Sequence, residues 1–162
     1  MPSGIVKVED MLKKRLGSEA IERNWNSVLK LRIFYKIPTT LIIPKGVESI
    51  GDWTFCDCWY LKKVVIPMSV KSIGCDAFIN CKRLKEVIIP ESVEEIENYA
   101  FGGCEGLKKV EIPESVKRVG HYAFYGCSNA DIIVGKWADG FEFLGNYAFT
   151  GCKIHVKEKT RD

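Results

Sequence analysis

A step of 23 residues recurs along most of this sequence and constrains the fold more than any other feature. Phenylalanine and cysteine recur on the same step as proline, and their last copies follow after 25 residues. The three series are Pro44, Pro67, Pro90 and Pro113; Phe55, Phe78, Phe101, Phe124 and Phe149; and Cys58, Cys81, Cys104, Cys127 and Cys152. Residues one step apart therefore belong at equivalent places in successive structural units. Such a period predicts a solenoid, in which each coil stacks on the one before it.

One repeat divides into a strand, a turn and a second wall. A segment such as 84–90 has three inward apolar side chains and ends at proline, which lacks the amide hydrogen that a sheet interior needs. Glycine permits a positive φ on the second wall, but Glu97 fills its slot in one repeat, so this torsion is not strictly required. The other members of that slot are Gly51, Gly74, Gly120 and Gly145. The Ala-Phe pair that follows predicts a short helical turn, which presents the phenylalanine to the core.

Composition narrows the classes of function. The 24 Lys and Arg residues nearly balance 21 Asp and Glu, and a net charge of +3 excludes a strongly basic nucleic-acid binder. Apolar residues make up 46% of the chain, which is enough for a core. Apolar runs such as residues 41–43 are far too short to span a membrane, and the first 17 residues lack the apolar stretch of a secretory signal.

The full repeat motif identifies a family resemblance. The pattern is I-P-x-S-V-x-x-I-G-x-x-A-F-x-x-C-x-x-L-x-x-V-x-I, and it is filled by Ile66, Pro67, Ser69, Val70, Ile73, Gly74, Ala77, Phe78, Cys81, Leu84, Val87 and Ile89. It resembles the BspA-type, or Treponema-type, leucine-rich repeat over residues 38–156. The resemblance implies a right-handed solenoid with a layer of short parallel strands. It also implies a non-catalytic binding scaffold, of the kind found in surface or secreted adhesion proteins of host-associated bacteria and some protozoa.

The expected fold is thus an α/β leucine-rich-repeat solenoid in three parts. Residues 1–37 lack the repeat, and their apolar spacing predicts a helical hairpin or bent helix that caps the first coil. An amphipathic helix for a membrane or a partner is the alternative for this segment. Residues 38–156 form the solenoid. Residues 157–162 are a charged C-terminal tail that blunts the last strand edge.

The seven cysteines favour packing over metal binding or disulfides. Five share one slot, so they should form a buried column with neighbours about 4.8 Å apart. Parallel side-chain directions disfavour disulfides in such a column, and small thiols pack well in a core. Cys56 and Cys75 lie outside the column and are expected to be more exposed. Cys56 and Cys58 lack a second matching pair, so the sequence predicts no metal site and no cofactor.

The sequence also predicts no catalytic residues. Its two histidines, His121 and His155, sit in no recognisable arrangement with a nucleophile and a carboxylate. The loop glycines precede no Lys-Ser/Thr pair of a phosphate-binding loop. An enzyme hidden in a cleft beside the N-terminal cap remains a weaker alternative.

Outward-facing slots supply the candidate binding residues. One column carries the like-charged Lys62, Lys85 and Lys108, which are either solvated or form a groove for an acidic peptide or a sulfated glycan. Trp59 and Tyr60 precede the first strand that the repeat predicts, where outward Val65 and Ile88 extend an apolar patch. A separate column reads Glu48, Lys71, Glu94 and Lys117, where alternating charges support the stacking register.

An aromatic column offers a second candidate surface. It contains Trp53, Tyr99, Tyr122 and Tyr147, with Asp76 interrupting it. The tyrosines either form a structural ladder of offset stacks or an aromatic platform for a protein or sugar ligand. The insertion before the last coil adds Trp137 and Phe143, which fit no inward slot and form a further contact area.

The function expected from these patterns is non-catalytic display of a rigid surface to a protein or glycan ligand, as in an adhesion module. An intracellular bacterial scaffold or structural protein is the alternative. The expected partner is a protein of unknown identity, without nucleic acid or a membrane span. A homodimer through the solenoid edge or the C-terminal end is also possible. The chain is expected in the cytoplasm if it is complete, and at the cell surface or secreted if it is a fragment of a longer family member.

Overall fold

The computed structural model describes residues 39–135 and 141–157. The predicted cap at 1–37 lies outside these residues, as do Trp137 and most of the charged tail. Only strands and turns occur in the described ranges, and their strands form two parallel sheets. The solenoid is confirmed, and its right-handed sense stays a prediction.

The first sheet has six strands, one from each successive coil, in the order β1-β3-β5-β7-β9-β11. Their bounds are Thr40–Ile42 (β1), Lys63–Val65 (β3), Glu86–Ile88 (β5), Lys109–Ile112 (β7), Asp131–Val134 (β9) and Lys153–Val156 (β11). The partners stay one repeat apart, as in the pairing of Val64 with Leu41 and with Val87. This register follows from the sequence period, because a one-residue slip would turn every inward side chain outward.

The second sheet has five shorter strands in the order β10-β8-β6-β4-β2. Their bounds are Ser49–Ile50 (β2), Ser72–Ile73 (β4), Glu95–Ile96 (β6), Arg118–Val119 (β8) and Phe143–Leu144 (β10). The sequence predicted a second wall here without predicting that it is itself a parallel sheet. With two residues per strand, the apolar alternation is too short to indicate a strand by itself.

Columns of identical side chains fill the core between the two sheets. Phe78, Phe101 and Phe124 are fully buried, and each ring stacks on the next with centroids 5.1–5.2 Å apart. The Phe55 ring extends this stack at 5.1 Å, and the Phe149 ring does so at 5.7 Å. The inward-slot assignment from the sequence is therefore correct across the middle coils.

The predicted helical turn at the Ala-Phe pair is wrong. Hydrogen-bonded turns occupy these positions, and the described ranges contain no helix. Alternate backbone amides bond to the next coil, as in Phe78 N–H to the Ala100 carbonyl at 2.8 Å, and those between them close turns within their own coil, as in Ala77 N–H to the Gly74 carbonyl at 3.3 Å. Stacking thus uses every second donor that a continuous helix would need.

The expectation of a positive φ at the glycine slot is also wrong. The positive torsions fall two residues later, at Trp53, Asp76, Tyr99, Tyr122 and Tyr147, with φ between 52° and 59°. Glycine instead allows the preceding coil to approach closely at this slot, because a Cβ added to Gly74 would lie 2.5 Å from Asp52 Oδ1 and 2.9 Å from the Ile50 carbonyl oxygen. At Gly74 the coils are packed too closely for an added Cβ, although the third repeat accommodates Glu97 in this slot.

The last coil is much less buried than the coils before it. Leu144, Ile154 and Val156 are 50–61% exposed. Their register partners Val119, Ile132 and Val134 are 0–7% exposed. Phe143 is half-buried on the outer side of β10, where it fits no inward slot, as the sequence predicted.

Candidate functional site

The outer face of the six-stranded sheet brings together one group of predicted site residues. Strand pairing aligns Ile42, Val65 and Ile88 in one row across three coils. Ile88 is 55% exposed, and the other two are half-buried. We call Ile42, Val65 and Ile88 the apolar row. The row shows that a contiguous apolar strip lies on this face, and Ile42 is a member that the sequence analysis missed.

Three lysines that form no ion pair within the described part of the chain flank the apolar row. Lys62, Lys85 and Lys108 are exposed, and each backbone amide bonds to the carbonyl of the residue one coil earlier. None of the ion pairs found among the described residues involves these three lysines. Neighbouring lysines do have partners, in the pairs Lys63–Glu86, Lys82–Glu105 and Lys109–Glu111. We call Lys62, Lys85 and Lys108 the lysine column.

Trp59 and Tyr60 lie in the loop that leads into β3. Trp59 is 59% exposed and meets Tyr60 edge to face, with centroids 5.6 Å apart. The Tyr60 hydroxyl donates to Cys58 Sγ at 3.8 Å, and burial raises the pKa of the Cys58 thiol to about 12. Tyr60 is thus tied to the core, whereas Trp59 presents its ring to solvent.

The aromatic column is a stack whose ring faces largely cover one another. Tyr99 and Tyr122 lie 4.8 Å apart at an interplanar angle of 6°, and Tyr147 continues the stack at 5.2 Å. Tyr125 packs edge-on against Tyr122 at 5.6 Å. Only the edges and the hydroxyl group of the middle ring, Tyr122, are left for a ligand. A flat platform for a sugar ring is restricted to the two ends of the stack, where Tyr147 is 60% exposed and Tyr99 is half-buried.

Left-handed torsions hold the aromatic column in place. A bulky residue in this region costs about 1–2 kcal/mol, so the surrounding structure must compensate. The compensation is visible in the amides, which point along the solenoid axis: Tyr99 N–H donates to the His121 carbonyl and Tyr122 N–H to the Asn146 carbonyl, both at 3.0 Å. The same torsion at Trp53 directs its amide to the Cys75 carbonyl at 2.9 Å.

The cysteine column is a ladder of thiol hydrogen bonds. Each thiol from Cys81 onward donates to the phenylalanine carbonyl in the preceding coil, at 3.1–3.3 Å. None of the seven cysteines, all of which lie in the described ranges, forms a disulfide, and Cys81, Cys104 and Cys127 are fully buried. Burial raises the pKa of the Cys104 thiol well above its ordinary value. Because a carbonyl oxygen only accepts a hydrogen bond, the thiols of this ladder must carry their protons, and their packing in one column is the arrangement that the sequence predicted.

A polar ladder on the second wall was missed in the sequence analysis. Its members follow the glycine slot in each coil and are Asp52, Cys75, Asn98, His121 and Asn146. Side chains in this ladder accept the backbone amide of the next coil, as in Asp52 Oδ1 with Cys75 N–H and Asn98 Oδ1 with His121 N–H. Their side chains differ in type, so no repeated letter revealed them.

The two histidines take part in separate contacts. His121 Nδ1 accepts the Asn146 amide at 2.9 Å, and the ring meets Phe143 edge-on in an open groove of about 250 Å³. His155 Nε2 contacts Asp131 Oδ1 at 2.9 Å on the exposed last strand, and this hydrogen bond lowers the pKa of Asp131. The described contacts of His121 and His155 include no serine or cysteine side chain.

Comparison with known proteins decides the family. The BspA-type leucine-rich repeat region matches residues 29–155 in six copies. The chain belongs to this family. No curated protein sequence matches it significantly. Within residues 39–135 and 141–157, no helix is long and apolar enough to cross a bilayer.

Three solved BspA-like structures resemble the chain. A leucine-rich cell surface protein from Faecalibacterium prausnitzii is 30% identical over 76% of this chain and 34% of its own, with a TM-score of 0.67. The pneumococcal vaccine antigen PcpA is 28% identical over 75% and 31%, with a TM-score of 0.63. A leucine-rich repeat protein from Bacteroides ovatus is 25% identical over 72% and 42%, with a TM-score of 0.52. The BspA-type chain thus spans about a third of the first two relatives.

Proposed function

We propose that this chain is a non-catalytic module that binds a protein through the outer face of the six-stranded sheet. The observation that carries the proposal is the apolar row beside the lysine column. When a partner covers an apolar strip, the free energy of the complex falls because apolar surface leaves water. Unpaired cations beside the strip favour a partner with carboxylates. The family membership supports a role in protein interaction.

The partner surface that fits is an apolar ridge flanked by acidic side chains. Trp59 lies at the N-terminal approach to β3 and adds an aromatic anchor, which is the residue type that most often dominates binding energy. Lys63 and Glu86, which lie between the row and the column, already neutralise each other at 2.6 Å. We therefore assign the attraction for carboxylates to Lys62, Lys85 and Lys108.

A phage-displayed random peptide library, selected on the full chain, tests this assignment. We expect enriched peptides to combine apolar residues with Asp or Glu. Ile88→Asp and Lys85→Glu should each weaken the selected peptides at least about tenfold, since central interface residues contribute ~1.4 kcal/mol or more. Lys71→Glu, which alters an exposed lysine near the second sheet, is the matched control and should leave binding unchanged.

The outcomes separate the ligand classes. Selected peptides that bind Ile88→Asp and Lys85→Glu as well as the wild type would refute the sheet face. If heparin binds the chain and displaces the peptides, with loss in Lys85→Glu but not in Ile88→Asp, a sulfated glycan replaces the protein as the ligand. Loss only on substitution of Tyr147 or Trp53 would move the binding surface to the aromatic column.

Adhesion at a cell surface is the setting that we propose for this binding. One structural relative is a cell surface protein and another is a vaccine antigen, which supports the extension. Seven cysteines that all remain thiols, without a disulfide among them, favour the second candidate, a scaffold in a reducing compartment. Labelling of intact producing cells with a membrane-impermeant biotin reagent separates the two. Self-association through the solenoid edge or C-terminal end stays a prediction, which light scattering on the purified chain would check.

A further inference from the structure

A thiol and two carboxylates from three successive coils meet on the second wall. The ligand atoms of Asp52, Cys75 and Glu97 all lie within 4.8 Å of one another. The Cys75 amide donates to Asp52 Oδ1 at 2.9 Å, and the Cys75 thiol donates to Glu97 Oε2 at 3.0 Å. Asp52 is exposed and the other two are half-buried, so the cluster is supported from the core side and open on the other.

Within residues 39–135 and 141–157, no cationic side chain forms an ion pair with either of these two carboxylates. The ion pairs found among the described residues include neither Asp52 nor Glu97. Nearby carboxylates on the same wall do have cationic partners, since Glu94 contacts Lys71 at 3.8 Å and Glu95 contacts Arg118 at 3.1 Å. The cluster is therefore a place of uncompensated negative charge, which favours a bound cation.

Glu97 is not needed for the stacking of the coils. It fills the slot that holds glycine in the other four repeats. At Gly74 an added Cβ would approach Asp52 and the Ile50 carbonyl too closely, and Gly120 and Gly145 are similarly confined by the backbone of the preceding coil. The repeat thus disfavours a side chain at this slot, yet Glu97 places a carboxylate directly over Cys75.

We propose that Asp52, Cys75 and Glu97 bind one Zn²⁺ ion, with the sulfur and one oxygen from each carboxylate as ligands. Zn²⁺ accepts a mixed set of sulfur and oxygen in a four-coordinate site, whereas Ca²⁺ and Mg²⁺ require larger sets of oxygen ligands. On binding, the Cys75 S–H bond breaks, a Zn–S bond forms and the proton passes to the buffer, without a change of oxidation state. The fourth position stays open to water or a partner's side chain.

Calorimetric titration of the reduced full chain with Zn²⁺ tests the site. We expect one ion per chain. Cys75→Ser and Glu97→Gln should each lower the affinity by about 10-fold to 100-fold, the usual effect of disturbing a metal site. Glu94→Gln removes an equal charge from the same wall, and Cys56→Ser removes another half-buried thiol. Both controls should bind within about twofold of the wild type.

A thermal readout separates metal binding from a structural role. The ion would link three coils, so saturating Zn²⁺ should raise the melting temperature of the wild type. Glu97→Gly should fold, because glycine is the residue of the other coils, and its melting temperature should not respond to Zn²⁺. Cd²⁺ should give the near-ultraviolet absorption of a metal–thiolate bond in the wild type and not in Cys75→Ser.

Three results would overturn the proposal. The first is no Zn²⁺ binding by the reduced wild type. The second is binding that survives Cys75→Ser but disappears in Cys56→Ser, which would locate the ion elsewhere. The third is displacement of Zn²⁺ by an equal concentration of Ca²⁺, which would reduce the cluster to nonspecific attraction between charges.

Discussion

Replacement of Phe101 by alanine tests the stacked core most directly. Phe101 is fully buried, and its ring lies 5.2 Å from that of Phe78 and 5.1 Å from that of Phe124. The substitution removes both stacks and leaves a cavity between two coils that continue to pair through their strands. Deletion of a buried phenylalanine side chain costs about 3–5 kcal/mol. Because the neighbouring coils restrict collapse, we expect a loss of about 4 kcal/mol in the free energy of unfolding.

Phe149→Ala is the matched control. Phe149 occupies the same slot in the last coil and is half-buried; its ring stacks on that of Phe124 at 5.7 Å, and the Phe141 ring lies tilted against it at 6.5 Å. Removal of the Phe149 ring should lower the free energy of unfolding by about 1–2 kcal/mol, because this ring buries less apolar surface on folding than Phe101 does and solvent can fill the gap. The two substitutions are chemically identical, so their difference measures the effect of position within the stack.

Equilibrium unfolding in urea, followed by circular dichroism and tryptophan fluorescence, gives both free energies. Coincident transitions from the two signals are required, because solenoids can unfold coil by coil. Equal losses for Phe101→Ala and Phe149→Ala would refute the argument from stacking. If Phe101→Ala does not fold, Phe101→Leu keeps most of the volume and should cost less than about 1.5 kcal/mol.

Two further predictions concern the backbone and the thiols. Tyr122→Gly should be about 1 kcal/mol more stable than Tyr122→Ala, because both remove the ring but only glycine accepts the φ of 57° without strain; equal urea midpoints for the two variants would contradict this. Burial, together with the hydrogen bond and charge of Glu97, raises the pKa of the Cys75 thiol to about 11. Because only the thiolate reacts, alkylation of Cys75 by iodoacetamide should accelerate about tenfold per pH unit from neutral pH toward 11, as peptide mass spectrometry would show. A rate that levels off near pH 9 would show an ordinary thiol.

The repeat period was sufficient to predict the stacking of the coils. Residues at a constant chain step occupy the same place in each coil, so the phenylalanine and cysteine columns followed from the sequence alone. The apolar row was only partly predicted. Val65 and Ile88 stand in regular outward slots, but Ile42 lies in the first coil, where the motif is least complete.

The turns were predicted less well, and the reason is physical. The glycine slot suggested a positive φ, but its glycines instead allow two successive coils to approach each other closely. The left-handed torsion is adopted two residues later, by tyrosine, tryptophan and aspartate. Residues other than glycine disfavour a positive φ by themselves, but the hydrogen bonds between coils stabilise it at these positions. Such bonds connect residues more than 20 positions apart, and a local reading of the sequence does not contain them.

The sequence by itself determined that the chain is a solenoid, which residues face inward and where one coil ends and the next begins. These properties depend on periodicity and polarity, and both can be read along one dimension. Only the tertiary structure decided that the aromatic rings cover each other's faces, that Lys62, Lys85 and Lys108 take part in none of the ion pairs among the described residues, and that Asp52, Cys75 and Glu97 meet. These properties depend on distances between coils and on side-chain directions, which the closely packed backbone sets.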